Sequence, residues 1–256
     1  MPADKKSAIL TSEVIQPDWQ LPDNVRAFCT TRVGGVSKGE YCSNNLALHV
    51  DDAESDVLEN RLRLSEKFAM PSQPIWLNQV HSTMVADAST DMPNDEIEAD
   101  ASYTNQKGIV LSVMTADCLP ILLCDKSGTQ VAAVHAGWRG LLDGIIENAV
   151  NRFSVKGPDV VAWLGPAIGP LAFEVGADVR DGFVEKDLDA IQAFRLCSEH
   201  KWLANIYQLA RQRLNNMGIE SIFGGDFCTF TDEERFYSYR RDKVCGRMAS
   251  LIWLDK

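Results

Sequence analysis

Two apolar runs lying close together, each ending in a chemically capable cluster, constrain this chain more than anything else in it. Gly108 to Met114 leads into Thr115-Ala116-Asp117-Cys118, and Gln130 to Val134 leads into His135-Ala136-Gly137-Trp138-Arg139. Short apolar runs bounded by Gly or Asp read as buried strands. A thiol at the end of one strand and an imidazole at the end of the other fit two uses. One is a soft metal site and the other a Cys–His nucleophile.

A chain of 256 residues buries a full core without staples, and no linker or repeat divides it, so one domain over 1–256 is expected. The net charge of −11 argues against a nucleic acid or an anionic membrane as partner, since both are held largely by Lys and Arg. A local basic patch for a small anion remains compatible with it. The start MPADKKSAIL lacks the apolar core of a signal peptide, and no apolar run is long enough to span a bilayer. The expectation is a cytoplasmic protein, and nothing requires more than a monomer. Seven cysteines without a Cys-x-x-Cys pair fit free thiols in a reducing compartment. The four histidines are His49, His81, His135 and His200, a short list of possible imidazole ligands.

Taken in order, the chain predicts an edge strand near Ile9 to Ile15, a strand over Val25 to Thr31 and a Gly-rich turn over Arg32 to Ser37. An irregular stretch from Tyr41 to Val50 fits a loop near a pocket. Asp51 to Met70 reads as a helix with Leu58, Leu62 and either Leu64 or Ser65 recurring on one side, Ser55 as its cap and Pro71 as its stop. Pro74 to Val80 reads as a strand that delivers His81. Residues 87–107 read as a solvated acidic excursion carrying Asp91, Asp95, Glu96, Glu98 and Asp100. The spacing of Leu141, Leu142, Ile145, Ile146, Ala149, Val150 and Phe153 predicts a helix over Trp138 to Phe153. A strand over Asp159 to Leu164 then meets the rigid Gly165–Pro170 loop. Helical stretches follow over Gly176 to Phe194 and Trp202 to Met217, then strands at Ile219 to Phe223 and Met248 to Leu254.

Cys118, His135 and His81 form a reasonable zinc or copper set, with an open fourth position marking a catalytic site. Without a metal, His135 or His81 deprotonates Cys118 for attack on an acyl centre, with Asp117 as orienter. Residue types do not separate the two uses. Arg139, Arg240, Arg241 and Arg247 are the basic counterpart, and Arg139 adjoins the His135 turn. Trp138, Tyr237 and Tyr239 are candidates for stacking on a planar ring.

TADCLPILLC and VAAVHAGWRGL resemble the paired motifs of the bacterial laccase-domain family, also called the multicopper polyphenol oxidase and purine nucleoside phosphorylase family. The similarity runs on through TRVGGVS, WLNQVHS, ADASYTN, WLGPAIGPLAFEVG, IYQLARQRL, GGDFCTF and FYSYRRDKVCGRMAS, from about Arg26 to Leu254. The resemblance implies an α/β (α+β-type) fold of mixed-sheet layers flanked by helices, like the cysteine hydrolase domain of a cytotoxic necrotizing toxin. It implies a metal triad of His81, Cys118 and His135. Three departures are local: Ser82 follows His81 where relatives often have Gly, Ala167 stands where the family's GPCIG form has a thiol, and Asn205 where relatives commonly carry Asp.

The activity implied is zinc-dependent phosphorolysis of adenosine, inosine, guanosine and methylthioadenosine, with adenosine deamination beside it. The substrates are then a purine nucleoside and phosphate. In this reading Arg139 or Arg241 places phosphate against the ribose C1′, and the metal serves deamination at the purine C6. Peptidoglycan editing on a muropeptide precursor by a Cys118–His135 hydrolase is the alternative, with a non-catalytic metal-binding regulator as a third reading. A copper-dependent polyphenol oxidase is also implied, but four histidines are too few for a multicopper cluster.

Overall fold

The long apolar runs become strands because both of their faces are covered. A computed structural model describes residues 13–90 and 97–255. The expected strand near Ile9 therefore lies largely outside the described residues, as do Asp91, Asp95 and Glu96. A four-stranded antiparallel sheet runs in the order Val14–Ile15, Val25–Thr30, Met248–Leu254, Val110–Thr115. A six-stranded mixed sheet runs Ser221–Gly224, Val160–Leu164, Leu119–Asp125, Val131–Ala136, Ala101–Thr104, Val85–Asp87. Its two outer pairs are parallel and its inner pairs antiparallel.

Side-chain alternation sorts the strands into layers. In Leu119–Asp125, Leu119, Ile121 and Leu123 face the helices Trp138–Asp143, Ile145–Val150 and Ile206–Asn216, while Leu122 and Cys124 face the other sheet. In Met248–Leu254, Met248, Ile252 and Leu254 face the six-stranded sheet, and Ala249, Leu251 and Trp253 face the helix Glu54–Lys67. The result is helix, sheet, sheet, helix, with apolar contact at each of three interfaces. This mixed α/β layering matches the expected fold class. Double burial is the reason these strands read as continuous apolar runs.

Several expectations change. Leu119-Pro120 opens a strand, with Pro120 opposite His135 in the ladder. The helix expected over Trp138 to Phe153 divides at Gly144, whose φ of 105° is left-handed. Trp202 belongs to a hairpin of Phe194–Ser198 and Lys201–Ala204, and the helix begins only at Ile206, capped by the Asn205 side chain. The strand expected over Pro74 to Val80 shrinks to Leu77–Asn78, paired with Ile97–Glu98. The helix Glu54–Lys67 has Ala53 rather than Ser55 at its cap, and it points Val57, Asn60, Leu64 and Ser65 inward. Among the described residues no helix is long and apolar enough to cross a membrane.

Because Leu119–Asp125 carries core on both faces, Leu122→Ala and Leu123→Ala should each lower the unfolding free energy by about 2–5 kcal/mol in urea titrations. Leu58→Ala, on the exposed side of its helix, should change it by less than about 1 kcal/mol.

Candidate active site

Three chain segments deliver the candidate ligands. Val110–Thr115 belongs to one sheet and Leu119–Asp125 to the other, so Ala116-Asp117-Cys118 is the crossing between sheets. Asp117 turns it with a φ of 93°. His135 sits inside Val131–Ala136, on the strand adjacent to the one that Cys118 precedes. His81 follows a segment that runs beside Val110–Thr115. There the Gln79 side chain takes the place of ladder partners, accepting from the Met114 N–H at 2.7 Å and donating to the Met114 carbonyl at 2.8 Å. His81 itself has a φ of 61°, unusual for a residue with a side chain.

Imidazole nitrogens of His81 and His135 and the Cys118 sulfur all lie within 4.8 Å of one another. His135 is buried, Cys118 half-buried and His81 exposed, so the cluster is closed on one side and open on the other. It opens on a cavity of about 550 Å³. Met114, Trp138, Ile168, Phe173, Ile206 and Tyr239 give this cavity an apolar and aromatic wall. Arg139, Arg240 and Arg247 supply positive charge, and His49 lines it too.

Asp100 is the residue that sequence reasoning misplaced. It was expected on a solvated acidic face, yet it is 0% exposed. Its carboxylate accepts from the backbone N–H groups of Val80, His81 and Ser82 at 3.2, 3.0 and 2.6 Å, and from the Ser82 hydroxyl at 2.8 Å. It also takes His135 Nδ1 at 2.7 Å, and its carbonyl accepts the His135 N–H at 2.7 Å. Burial works against the Asp100 charge, but the bonds from His135 and Ser82 outweigh it and hold the carboxyl below its ordinary range. Its flanking Ala99 and Ala101, small and buried, were the one signal separating it from its acidic neighbours.

Asp117 does not orient a histidine, which corrects the expected Cys–His–Asp assignment. Its carboxylate is taken by the Thr229 hydroxyl and the Arg240 N–H, both at 2.6 Å. It pins the crossing that carries Cys118. Arg241 does not reach the cavity either: its guanidinium donates to the carbonyls of Thr229, Phe230 and Phe236 and pairs with Asp242. Tyr237 is core, whereas Tyr239 and Trp138 line the cavity. Arg139 lies 4.3 Å over the Trp138 ring and has no carboxylate partner among the described residues. Cys124 is a buried core thiol pushed up to about 12 by desolvation.

A family model described as multi-copper polyphenol oxidoreductase laccase matches residues 26–255. The chain belongs to that laccase-domain family. It is 55% identical to a Shigella flexneri protein named purine nucleoside phosphorylase YfiH, across 95% of this chain and 99% of that one. It is 50% identical to a Pseudomonas aeruginosa protein named purine nucleoside phosphorylase PA4543, over 94% of this chain and 98% of the relative. The crystal structure of Neisseria meningitidis protein NMB0706 superposes with a TM-score of 0.92 at 45% identity, covering 95% of this chain and all, 100%, of that one. YlmD from Geobacillus stearothermophilus gives 0.83 at 29% identity, with 91% and 93% covered.

The donor chemistry of this laccase-domain chain suits a transition metal. With Asp100 accepting from Nδ1, the Nε2 of His135 is left as ligand, the arrangement in which a carboxylate orients a metal-bound imidazole. Burial disfavours a charged His135, but the Cys118 sulfur and Asp100 prevail and raise it to about 9. His81 is instead lowered, first by desolvation and then by His135. A metal entering below pH 9 must therefore displace the His135 proton. Metal affinity should rise with pH, at least about tenfold per unit between about pH 6 and about pH 8, in competition titrations with a chelating dye. Asp100→Asn should weaken binding by about 10–100-fold in the same titration. A Cβ at Gly137 would lie 2.4 Å from His81 Nδ1 and 3.2 Å from the Cys118 sulfur. Gly137→Ala should therefore also lower metal affinity, by displacing a ligand rather than removing one.

Proposed function

We propose that the protein is a purine nucleoside phosphorylase acting on adenosine, inosine, guanosine and methylthioadenosine, with zinc held by His81, Cys118 and His135 and adenosine deamination as a second activity. The observation that carries this reading is a His–Cys–His donor set opening onto a cavity with both an aromatic wall and unpaired arginine charge. The names of the close relatives support it.

Two imidazoles, one thiolate and an open side are the ligand pattern of catalytic zinc, which supplies Lewis acidity where it binds. A single copper ion suits the same set, whereas one three-ligand cluster does not hold several coppers. The chain's own residues do the rest. Phosphorolysis forms a bond from a phosphate oxygen to C1′ as the C1′–N9 bond breaks, leaving its electron pair on the purine, which takes up a proton. Arg139, without a carboxylate partner, holds the incoming phosphate. Trp138, Phe173 and Ile206 bury the flat purine and exclude water from the sugar carbon.

A second reading has its own observation. The donor atoms of His135 and Cys118 lie within 4.8 Å of each other and Asp100 holds His135 from behind, the order of nucleophile, base and orienter. On that reading the protein is a cysteine hydrolase of the kind that edits a peptidoglycan precursor, with the toxin-like hydrolase fold as its analogue.

Metal analysis of purified protein, with inosine turnover measured with and without phosphate, tests both. Stoichiometric zinc and phosphate-dependent hypoxanthine release, lost in Cys118→Ala and after chelation, is the expected result. Arg139→Gln should raise the phosphate KM by about 10–100-fold, the loss of one charge-assisted contact. Activity that survives chelation but not alkylation sinks the zinc reading in favour of the hydrolase.

A further inference from the structure

The helix Glu54–Lys67 is turned with Leu58 and Leu62 outward. It buries Asn60, which donates to the Ser37 hydroxyl and the Asn45 carbonyl and accepts from the Val36 N–H. That polar anchoring leaves Leu58 49% and Leu62 47% exposed on one helical face, with Arg61 between them. The Arg61 guanidinium lies 4.0 Å over the Trp76 ring. These side chains and Leu48 wall a groove of about 750 Å³. The groove adjoins the cavity in front of the His–Cys–His cluster, and His49 and Met114 line both. Ile75 to Asn78 line it, and from there the chain runs through Gln79 and Val80 to His81.

We propose that this groove is an accessory subsite of the same active site, taking an apolar arm on a substrate whose polar head fills the cavity. The proposal rests on the phosphorylase reading for the head, and that reading fixes where the arm attaches. Ligand sites commonly enclose about 300–1,000 Å³, so the 550 Å³ cavity suffices for nucleoside and phosphate. The adjoining space exceeds that need. C1′ and the base are committed to the reacting bond, whereas the exocyclic 5′ carbon lies away from the bond being broken. An arm leaving from the 5′ carbon passes out of the cavity without disturbing the chemistry. The preferred class is a purine nucleoside with a 5′ substituent of several carbons or an aromatic ring. Burying such an arm against Leu48, Leu58 and Leu62 removes apolar surface on both sides from water.

The test compares adenosine, 5′-O-butyladenosine and 5′-O-benzyladenosine by phosphorolysis and by calorimetric binding, in wild type and in the Leu58→Asn/Leu62→Asn double variant. Both substituted side chains are exposed, so the fold is not at stake. The expected result is a rise in kcat/KM of about tenfold or more from adenosine to the benzyl ether. The double variant should lose that gain while turning over adenosine as wild type does. A flat or falling series, or a gain that persists in the double variant, overturns the proposal. If neither protein turns over adenosine but the benzyl ether binds wild type more tightly than the double variant, the subsite stands and the phosphorylase reading falls. A wild-type dimer in light scattering that the double variant dissociates would make this face a contact between copies and overturn the subsite.

Discussion

One buried carboxylate holds this site together. Asp100 sits between the segment carrying His81 and the strand carrying His135, and it bonds both. A carboxylate excluded from water costs several kcal/mol unless its oxygens are fully partnered. Here three backbone N–H groups, one hydroxyl and one ring nitrogen supply the partners. Neither histidine can be placed independently of the other, since the same two oxygens set the backbone of one and the ring of the other. Asp100 thus makes two histidines from distant parts of the chain into a single unit.

Cys118, the third member of the cluster, is placed by a separate device of the same kind. Asp117 takes Thr229 and Arg240 with its carboxylate and the Ile168 N–H with its carbonyl. The crossing before Cys118 is thereby tied to three other loops. Both aspartates serve the backbone first, which is why an acidic chain can present a cavity rich in arginine. Of its lining residues only Asp117 is acidic, and its charge is already spoken for. The excess of Asp and Glu lies elsewhere, so net charge reports on solubility and poorly on the site.

Much of the layered architecture was legible because doubly buried strands leave long apolar runs, as Val110–Thr115 and Met248–Leu254 do. The convergence of His81, Cys118 and His135 was legible because strand ends followed by thiol or imidazole stand out in a chain with four histidines, and the family motifs fall on the same residues. What failed did so for identifiable reasons. Asp100 carries an acidic residue's composition signal, and only the long-range donors that surround it make burial tolerable. Leu58 and Leu62 fit a helical stripe, but Asn60 competes for the inner face with hydrogen bonds that periodicity cannot reveal. Asp117 adjoins Cys118 in sequence, yet its side chain is directed towards the partners at Thr229 and Arg240. Adjacency in the chain and adjacency in space coincide at Arg139 and part at Arg241.

The backbone of the site is strained where the ligands enter. His81 and Asp117 both occupy the left-handed region, at φ 61° and 93°, where a side chain is disfavoured by roughly 1–3 kcal/mol each. Gly137 fits between His81 and Cys118 only because it has no Cβ. Relaxed backbone at any of these positions would aim a ligand elsewhere, so the strain is the cost of convergence. Asp100 and Asp117 offset that cost with hydrogen bonds to the strained peptides or their immediate neighbours. The positions of His81, Cys118 and His135 are therefore fixed by the protein's own hydrogen bonds. A cluster held in this way is closed on one side and open to the cavity on the other, so its donor atoms stay together while the cavity remains accessible.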